Sequence, residues 1–139
     1  MTDWLIPLSV AIAVAASHII KETIHVIRKG SFSWYTLLME TGGMPSSHSA
    51  AVTALTTSIF VLQGPSALFW ASLVFAAVVI RDAFGVRRSV SDQAQIINTL
   101  LSKADMEKKV NIILGHTPLQ AVIGVLVGFA AAMIGWAIL

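Results

Sequence analysis

Four long apolar stretches leave few folds open to this sequence. They cover approximately residues 4–27, 46–62, 66–84 and 118–139. Each is close to the ~20 residues that an α-helix needs to cross ~30 Å of hydrocarbon. Inside a bilayer, backbone N–H and C=O groups must bond within the chain, and this requirement favours helices. The sequence therefore predicts an all-α, integral membrane four-helix bundle.

The composition agrees with a membrane protein. Of the 139 residues, 56% are hydrophobic and 12% are charged, and the mean hydropathy is +0.81. A soluble domain carries roughly twice that charged fraction. No basic segment precedes the first stretch, so we expect a retained span and not a signal peptide. We expect one membrane-embedded domain over residues 1–139, and the absence of cysteine excludes disulfides.

The basic residues predict the orientation of the chain. With four spans, the loops 21–45 and 81–116 lie on the same side of the membrane. All nine basic residues fall in these loops: Lys21, Arg28, Lys29, Arg81, Arg87, Arg88, Lys103, Lys108 and Lys109. The positive-inside rule then places both loops in the cytoplasm. We expect a plasma membrane protein whose polar loops face the cell interior.

The segment between the third and fourth stretches predicts an amphipathic helix over about 89–104. Its apolar residues recur at spacings of four and three: Val90, Ala94, Ile97, Leu101 and Ala104. Such a helix would lie on the membrane surface or pack against the spans. Asp105 is the expected N-cap of a second short helix that Gly115 would close.

Residues 42–49 read Gly-Gly-Met-Pro-Ser-Ser-His-Ser and stand directly before the second apolar stretch. Pro-Ser-Ser is a helix-start signal, which puts His48 in the first turn of a helix. The N–H groups at such a start lack intrahelical acceptors and favour an anion. Ser46 and Ser47 are therefore candidate phosphate ligands beside His48. The alternative is an ordinary N-cap followed by a polar histidine.

A second histidine, His116, stands directly before the fourth stretch. Pro118 suits the first position of the helix that follows. Gln120 is four residues after His116, so its side chain could accept a hydrogen bond from the imidazole. Alternatively, Thr117 and Gln120 match a capping box, which is a structural role for both.

Cationic side chains stand at the same membrane level as the two histidines. On the first helix, Lys21 and Arg28 share one polar face with His18 and His25. Farther along the chain, paired arginines can present a planar fork to phosphate oxygens, and the pair is Arg87 and Arg88. Cations snorkelling to the interface and a stop-transfer cluster are the structural alternatives.

Two histidines at two helix starts, surrounded by cations, favour phosphoryl transfer through a histidine nucleophile and a histidine acid. The cations would neutralise charge on the equatorial phosphate oxygens. The acidic residues are scattered and the histidines lie far apart in sequence, so no metal site is predicted.

The motifs together resemble the type 2 phosphatidic acid phosphatase and vanadium haloperoxidase superfamily, particularly its short divergent branch. Lys21 and Arg28, with six residues between them, resemble the first motif, although Lys29 replaces the usual proline. Pro-Ser-Ser-His over residues 45–48 resembles the second. The third motif looks split between residues 81–88 and 115–120. The resemblance covers most of the chain.

The resemblance implies a phosphatase that needs no cofactor and acts on a membrane lipid, not on nucleic acid. His116 would attack phosphorus and carry a phosphohistidine. His48 would protonate the leaving alkoxide and then activate water. Gln120 stands where an acid usually orients the nucleophile. The phosphate would be bound by Lys21, Arg28, Ser46, Ser47, Arg87 and Arg88.

The expected substrates are a phosphate monoester or diphosphate of a membrane lipid, in the polyprenyl phosphate or phosphatidylglycerol phosphate class. A non-catalytic membrane protein that binds or translocates anionic lipid heads or anions is the alternative. Gly124 and Gly128 begin a face of small residues on the fourth stretch. Such a face allows close helix packing, either within the monomer or in a homodimer.

Overall fold

The computed structural model describes residues 4–32, 34, 43–106, 108–110 and 115–138, and no strand occurs among them. Five helices lie wholly within these ranges: α1 (Leu5–Lys29), α2 (Ser47–Gln63), α3 (Ala67–Phe84), α4 (Val86–Lys103) and α5 (Pro118–Ala137). The predicted all-α architecture is confirmed, and each predicted span matches a helix to within about two residues.

Three of the described helices are long and apolar enough to cross a membrane: α1, α5 and the helix that begins at Ala67. The fourth helix of the bundle, α2, has 17 residues and is about 26 Å long. It lies at the centre of the bundle, in contact with α1, α3 and α5, while α1 also packs against α5. The shortest helix of the bundle is therefore the one that the other three contact.

Small side chains form the interior of the bundle. Its buried core consists of Ala13, Ala50, Ala54 and Ala131. Large apolar side chains instead point outward, and Trp70, Val74 and Phe129 are each more than half exposed. A membrane bundle is stabilised by close backbone packing, since lipid tails solvate large apolar groups well. The outer surface is suited to hydrocarbon.

The small-residue face of α5 packs within the chain. A Cβ on Gly124 would collide with the Ser46 carbonyl oxygen, and one on Gly128 would collide with that of Ala50. Both glycines therefore bring α5 into direct contact with the backbone of α2. This packing occupies the face that the hypothesised homodimer would need, so the structure gives that dimer no support.

A single residue, Gly85, separates α3 from α4. The amphipathic helix is confirmed, although it begins at Val86 and not near residue 89. Among the described helices, α4 contacts α3 only. Val90 and Ile97 remain between 40% and 50% exposed. Part of the apolar face of α4 is thus left exposed, while α4 packs against one membrane helix, α3.

The predicted helix start at Asp105 is wrong. Asp105 has a left-handed backbone with φ of 57°, whereas an N-cap is extended, and residues 108–110 are not helical. The Asn98 side chain instead holds the returning chain: it donates to the Val110 carbonyl at 2.9 Å and accepts from the Val110 N–H at 2.7 Å. Residues 107 and 111–114 lie outside the described part.

Replacement of Gly128 by leucine should lower the thermal midpoint of the detergent-solubilised protein. The new side chain must displace α2, because even a Cβ would lie 2.9 Å from the Thr53 Cβ. Overpacking of this kind costs about 1–3 kcal/mol. Ala130→Leu is the matched control, since Ala130 is exposed on the same helix. Equal midpoints for the two variants would contradict the packing described here.

Candidate phosphate site

Two backbone hydrogen bonds bring together the start of α2, the start of α5 and the end of α3. The Ser46 N–H donates to the Gln120 carbonyl at 3.1 Å, which joins the start of α2 to the first turn of α5. The His116 N–H donates to the Ala83 carbonyl at 3.1 Å, which joins the segment before α5 to the end of α3. The two histidine-bearing segments therefore meet at one end of the bundle.

The two halves of the split motif are also in direct contact. A Cβ on Gly115 would collide with the backbone of Arg88 and lie 2.7 Å from the carbonyl carbon of Arg87. Only glycine lets the chain pass so closely over the start of α4. Residues 115–116 thus lie against residues 87–88, although α4 separates them in sequence.

Ser46 caps α2 and is completely buried. Its hydroxyl accepts a hydrogen bond from the Ser49 N–H at 3.3 Å and another from the Ser49 hydroxyl at 3.1 Å. The side-chain oxygen therefore caps the helix, and the expected role of Ser46 as a phosphate ligand stays a prediction. Ser47 and His48 occupy the first two helical positions, where N–H groups have no intrahelical acceptor.

Gln120 forms the predicted capping box. Its side-chain oxygen accepts from the Thr117 N–H at 2.9 Å, and its own N–H donates to the Thr117 hydroxyl at 3.3 Å. The structural alternative from the sequence is confirmed. Another group shares the orienting role expected for Gln120, whose side chain also hydrogen-bonds with His116.

That group is the carbonyl oxygen of Gly43, which lies 3.1 Å from Nδ1 of His116. A carbonyl only accepts, so Nδ1 carries the hydrogen and Nε2 keeps its lone pair. Gly43 has φ of 88°, a conformation that suits glycine. Sequence reasoning missed this partner because a backbone carbonyl 73 residues away leaves no residue-type signal.

Burial lowers the pKa of His116 below its ordinary value of 6.5, and the charge of Lys21 acts in the same direction. The Gly43 carbonyl and the Gln120 side chain oppose this effect without reversing it. His116 is only 2% exposed. The ring is therefore neutral at pH 7, which is the form that can act as a nucleophile.

His48 is exposed and lies among charged groups. Arg87, Lys21 and Asp82 act on it electrostatically, and Lys21 also acts on His116. Lys21 is 5% exposed, and its side chain runs beside Gly43. Lys21 is thus the cation common to both histidines.

Arg87 is held in place by Asp82. Its Nε donates to Oδ2 of Asp82 at 2.9 Å, with both side chains about 40% exposed. An ion pair this exposed adds little stability. It does fix one edge of the guanidinium, so that the terminal N–H groups remain available to another acceptor.

Arg28 and Arg88 line two different clefts. Arg28 lines a cleft between α1 and the start of α5. Arg88 lines a different cleft at the junction of α3 and α4, together with Arg81 and Asp92. Of the predicted phosphate ligands, Arg87 and Lys21 act electrostatically on His48 at the start of α2, and Arg28 shares a cleft with Lys21. The described residues include no group of three side chains able to hold a metal ion.

The capping geometry predicts how substitutions of Gln120 behave. Gln120→Glu should keep turnover and thermal midpoint near those of the native protein, since glutamate also completes a capping box. Gln120→Leu should lower the midpoint, with a cost of about 1 kcal/mol for the lost cap. Phosphate release and thermal midpoint are measured for both variants. A large rise in turnover for the glutamate variant would restore Gln120 as the group that orients His116.

Similarity to known proteins identifies the family of this chain. A family model described as the Divergent PAP2 family matches residues 4–131. An uncharacterized membrane protein of Bacillus subtilis (strain 168), YuiD, is 36% identical over 144 residues, which cover 91% of this chain and 90% of the relative. No solved structure matches. The chain therefore belongs to the divergent branch of the type 2 phosphatidic acid phosphatase superfamily.

Proposed function

We propose that this protein is a metal-independent phosphatase that removes phosphate from a membrane lipid through a phosphohistidine. The observation that carries the proposal is the setting of His116: its Nδ1 is bonded to the Gly43 carbonyl while Lys21 acts on it and on His48. A neutral imidazole whose Nε2 keeps its lone pair, beside a second imidazole and a cation, suits phosphoryl transfer.

In the first step, Nε2 of His116 attacks phosphorus. A P–N bond forms while the bond from phosphorus to the lipid oxygen breaks. Protonated His48 gives its proton to the departing alkoxide, so the lipid leaves as an alcohol. Lys21, Arg87 and the N–H groups of Ser47 and His48 hold the equatorial oxygens.

In the second step, water attacks the phosphohistidine. His48, now neutral, takes a proton from this water, and the P–N bond breaks as the new P–O bond forms. Inorganic phosphate leaves, and both histidines return to their starting protonation states. His48 therefore serves as acid and then as base.

The exposures of the two histidines indicate how the substrate would enter. His48 is exposed, whereas His116 is covered. The phosphate would approach from the His48 side and displace the groups over His116. The lipid tail would lie along an apolar groove of about 470 Å³ between α2, α3 and α5, where Phe60, Leu73 and Phe129 are among the lining residues.

The proposed site faces the cytoplasm from the plasma membrane, because all nine basic residues fall in residues 21–45 and 81–116, the two segments on its side. Polyprenyl phosphates and phosphatidylglycerol phosphate both fit a site of this kind. The burial of His116 favours one other function, a non-catalytic protein that holds anionic lipid heads at the same place. Release of phosphate from a lipid phosphate distinguishes the phosphatase from the non-catalytic protein.

His116→Ala and His48→Ala should each reduce phosphate release from lipid phosphates at least ~10²–10⁴-fold, because one removes the nucleophile and the other the general acid. Unchanged thermal midpoints would show that both variants fold. Gln93→Ala, on the exposed face of α4, is the control. If either histidine variant keeps native turnover, the mechanism is wrong. If the native protein binds lipid phosphates but releases no phosphate from them, the non-catalytic function is favoured.

A further inference from the structure

One side of α4 presents an exposed row of apolar side chains, which we call the apolar strip. It consists of four residues that are each more than 40% exposed: Val86, Val90, Ile97 and Leu100. With about 100° of rotation between successive residues, they lie within an arc of about 80° and extend for about 21 Å along the helix. Gln93 falls in the same arc, and its long side chain can reach past the apolar groups.

The polar side of α4 lies opposite the strip. Its exposed residues are Arg88, Asp92, Gln95, Thr99 and Ser102. Between the two sides, α4 faces the rest of the chain: Ser91 and Ala94 are buried there, and Asn98 holds the returning backbone at Val110. The apolar strip and the polar side are therefore each turned about 100° away from the protein, in opposite directions.

These three sides are those of a helix at the edge of a membrane. A helix that lies flat in the interface and packs sideways onto a bundle meets protein on one side, hydrocarbon on the second and water on the third. The position of α4 agrees, since only Gly85 separates it from the membrane helix α3. The last turn of α3 carries Arg81, a basic residue of the kind found where spans reach the head groups.

We infer that the apolar strip binds the surface of the bilayer, with its side chains among the upper ends of the acyl chains on the side of the proposed site. The energy of such binding comes from the apolar area that leaves water. A second copy of the chain is a poorer occupant. Four side chains are few beside the roughly 20–30 residues that each partner contributes to a stable protein interface.

Docking of the strip fixes the rotation of α4 about its own axis, and this rotation places Arg87. Arg87 lies on the side of α4 that faces the protein, where it bonds to Asp82 and acts on His48. The bilayer therefore helps to hold Arg87 against the proposed phosphate site. This link to Arg87 rests on the proposed function, whereas the docking itself does not.

Spin labels test the docking. The chain contains no cysteine, so single cysteines can be labelled without background. Val90→Cys and Ile97→Cys place nitroxides on the strip, and Gln95→Cys places the control on the polar side. The protein is reconstituted in vesicles of dioleoyl phosphatidylcholine. Collisions of each label with oxygen, which concentrates in hydrocarbon, are compared with collisions with a water-soluble nickel chelate.

The ratio of oxygen collisions to nickel collisions should be several-fold higher at positions 90 and 97 than at position 95. Nickel access at 90 and 97 equal to that at 95 would place the strip in water and overturn the docking. Protection of both strip labels from both reagents would also overturn it, because protein, such as a second copy, would then cover the strip.

A charge placed in the strip tests the link to Arg87. Ile97→Asp should increase nickel access of the label at position 90. It should also lower phosphate release about tenfold, as should Arg87→Gln, the loss expected for one charge-assisted contact. The double variant should lose no more than Arg87→Gln alone, because both changes act through the same contact. Gln95→Asp adds the same charge on the polar side and should alter neither readout.

Unchanged thermal midpoints show that these variants fold. Native release by Ile97→Asp with an accessible label at position 90, or losses that multiply in the double variant, would remove the link to Arg87. If the native protein releases no phosphate, the proposed function fails and the link falls with it, while the labels still decide the docking.

Discussion

The close contact of α2 with α5 is the constraint on which the rest of the structure depends. Gly124 and Gly128 permit it, because a side chain at either position would collide with a carbonyl of α2. Only at this separation can the Ser46 N–H reach the Gln120 carbonyl. Both helices begin at this level, so the contact also places their two N-termini and two histidines at one end of the bundle. Helix packing and site geometry therefore have the same origin.

Local signals in the sequence predicted much of this arrangement. The apolar stretches predicted the spans, since a bilayer requires both their length and their helical backbone. Ser46 and the Thr117–Gln120 pair predicted how α2 and α5 begin, because a cap is formed by residues only three apart. The proximity of Lys21 to both histidines also agrees with their predicted placement at one end of the bundle.

Other features depend on contacts that sequence spacing does not encode. Arg87 and Arg88 are neighbours, but adjacent residues on a helix point about 100° apart, so the rotation of α4 decides which one faces His48. Of the two arginines, Arg87 is the one that forms the ion pair with Asp82. Gly43 orients His116 through its backbone, where any residue type offers the same carbonyl.

The proposed mechanism requires a covalent bond between His116 and phosphorus. The native protein is incubated briefly with a lipid phosphate labelled with ³²P, quenched in alkali, where phosphoramidates survive, and digested for peptide mapping. The account predicts an acid-labile label on the peptide that contains His116, absent from His116→Ala. Turnover without any labelled peptide, or with the label on the peptide that contains His48, would contradict it.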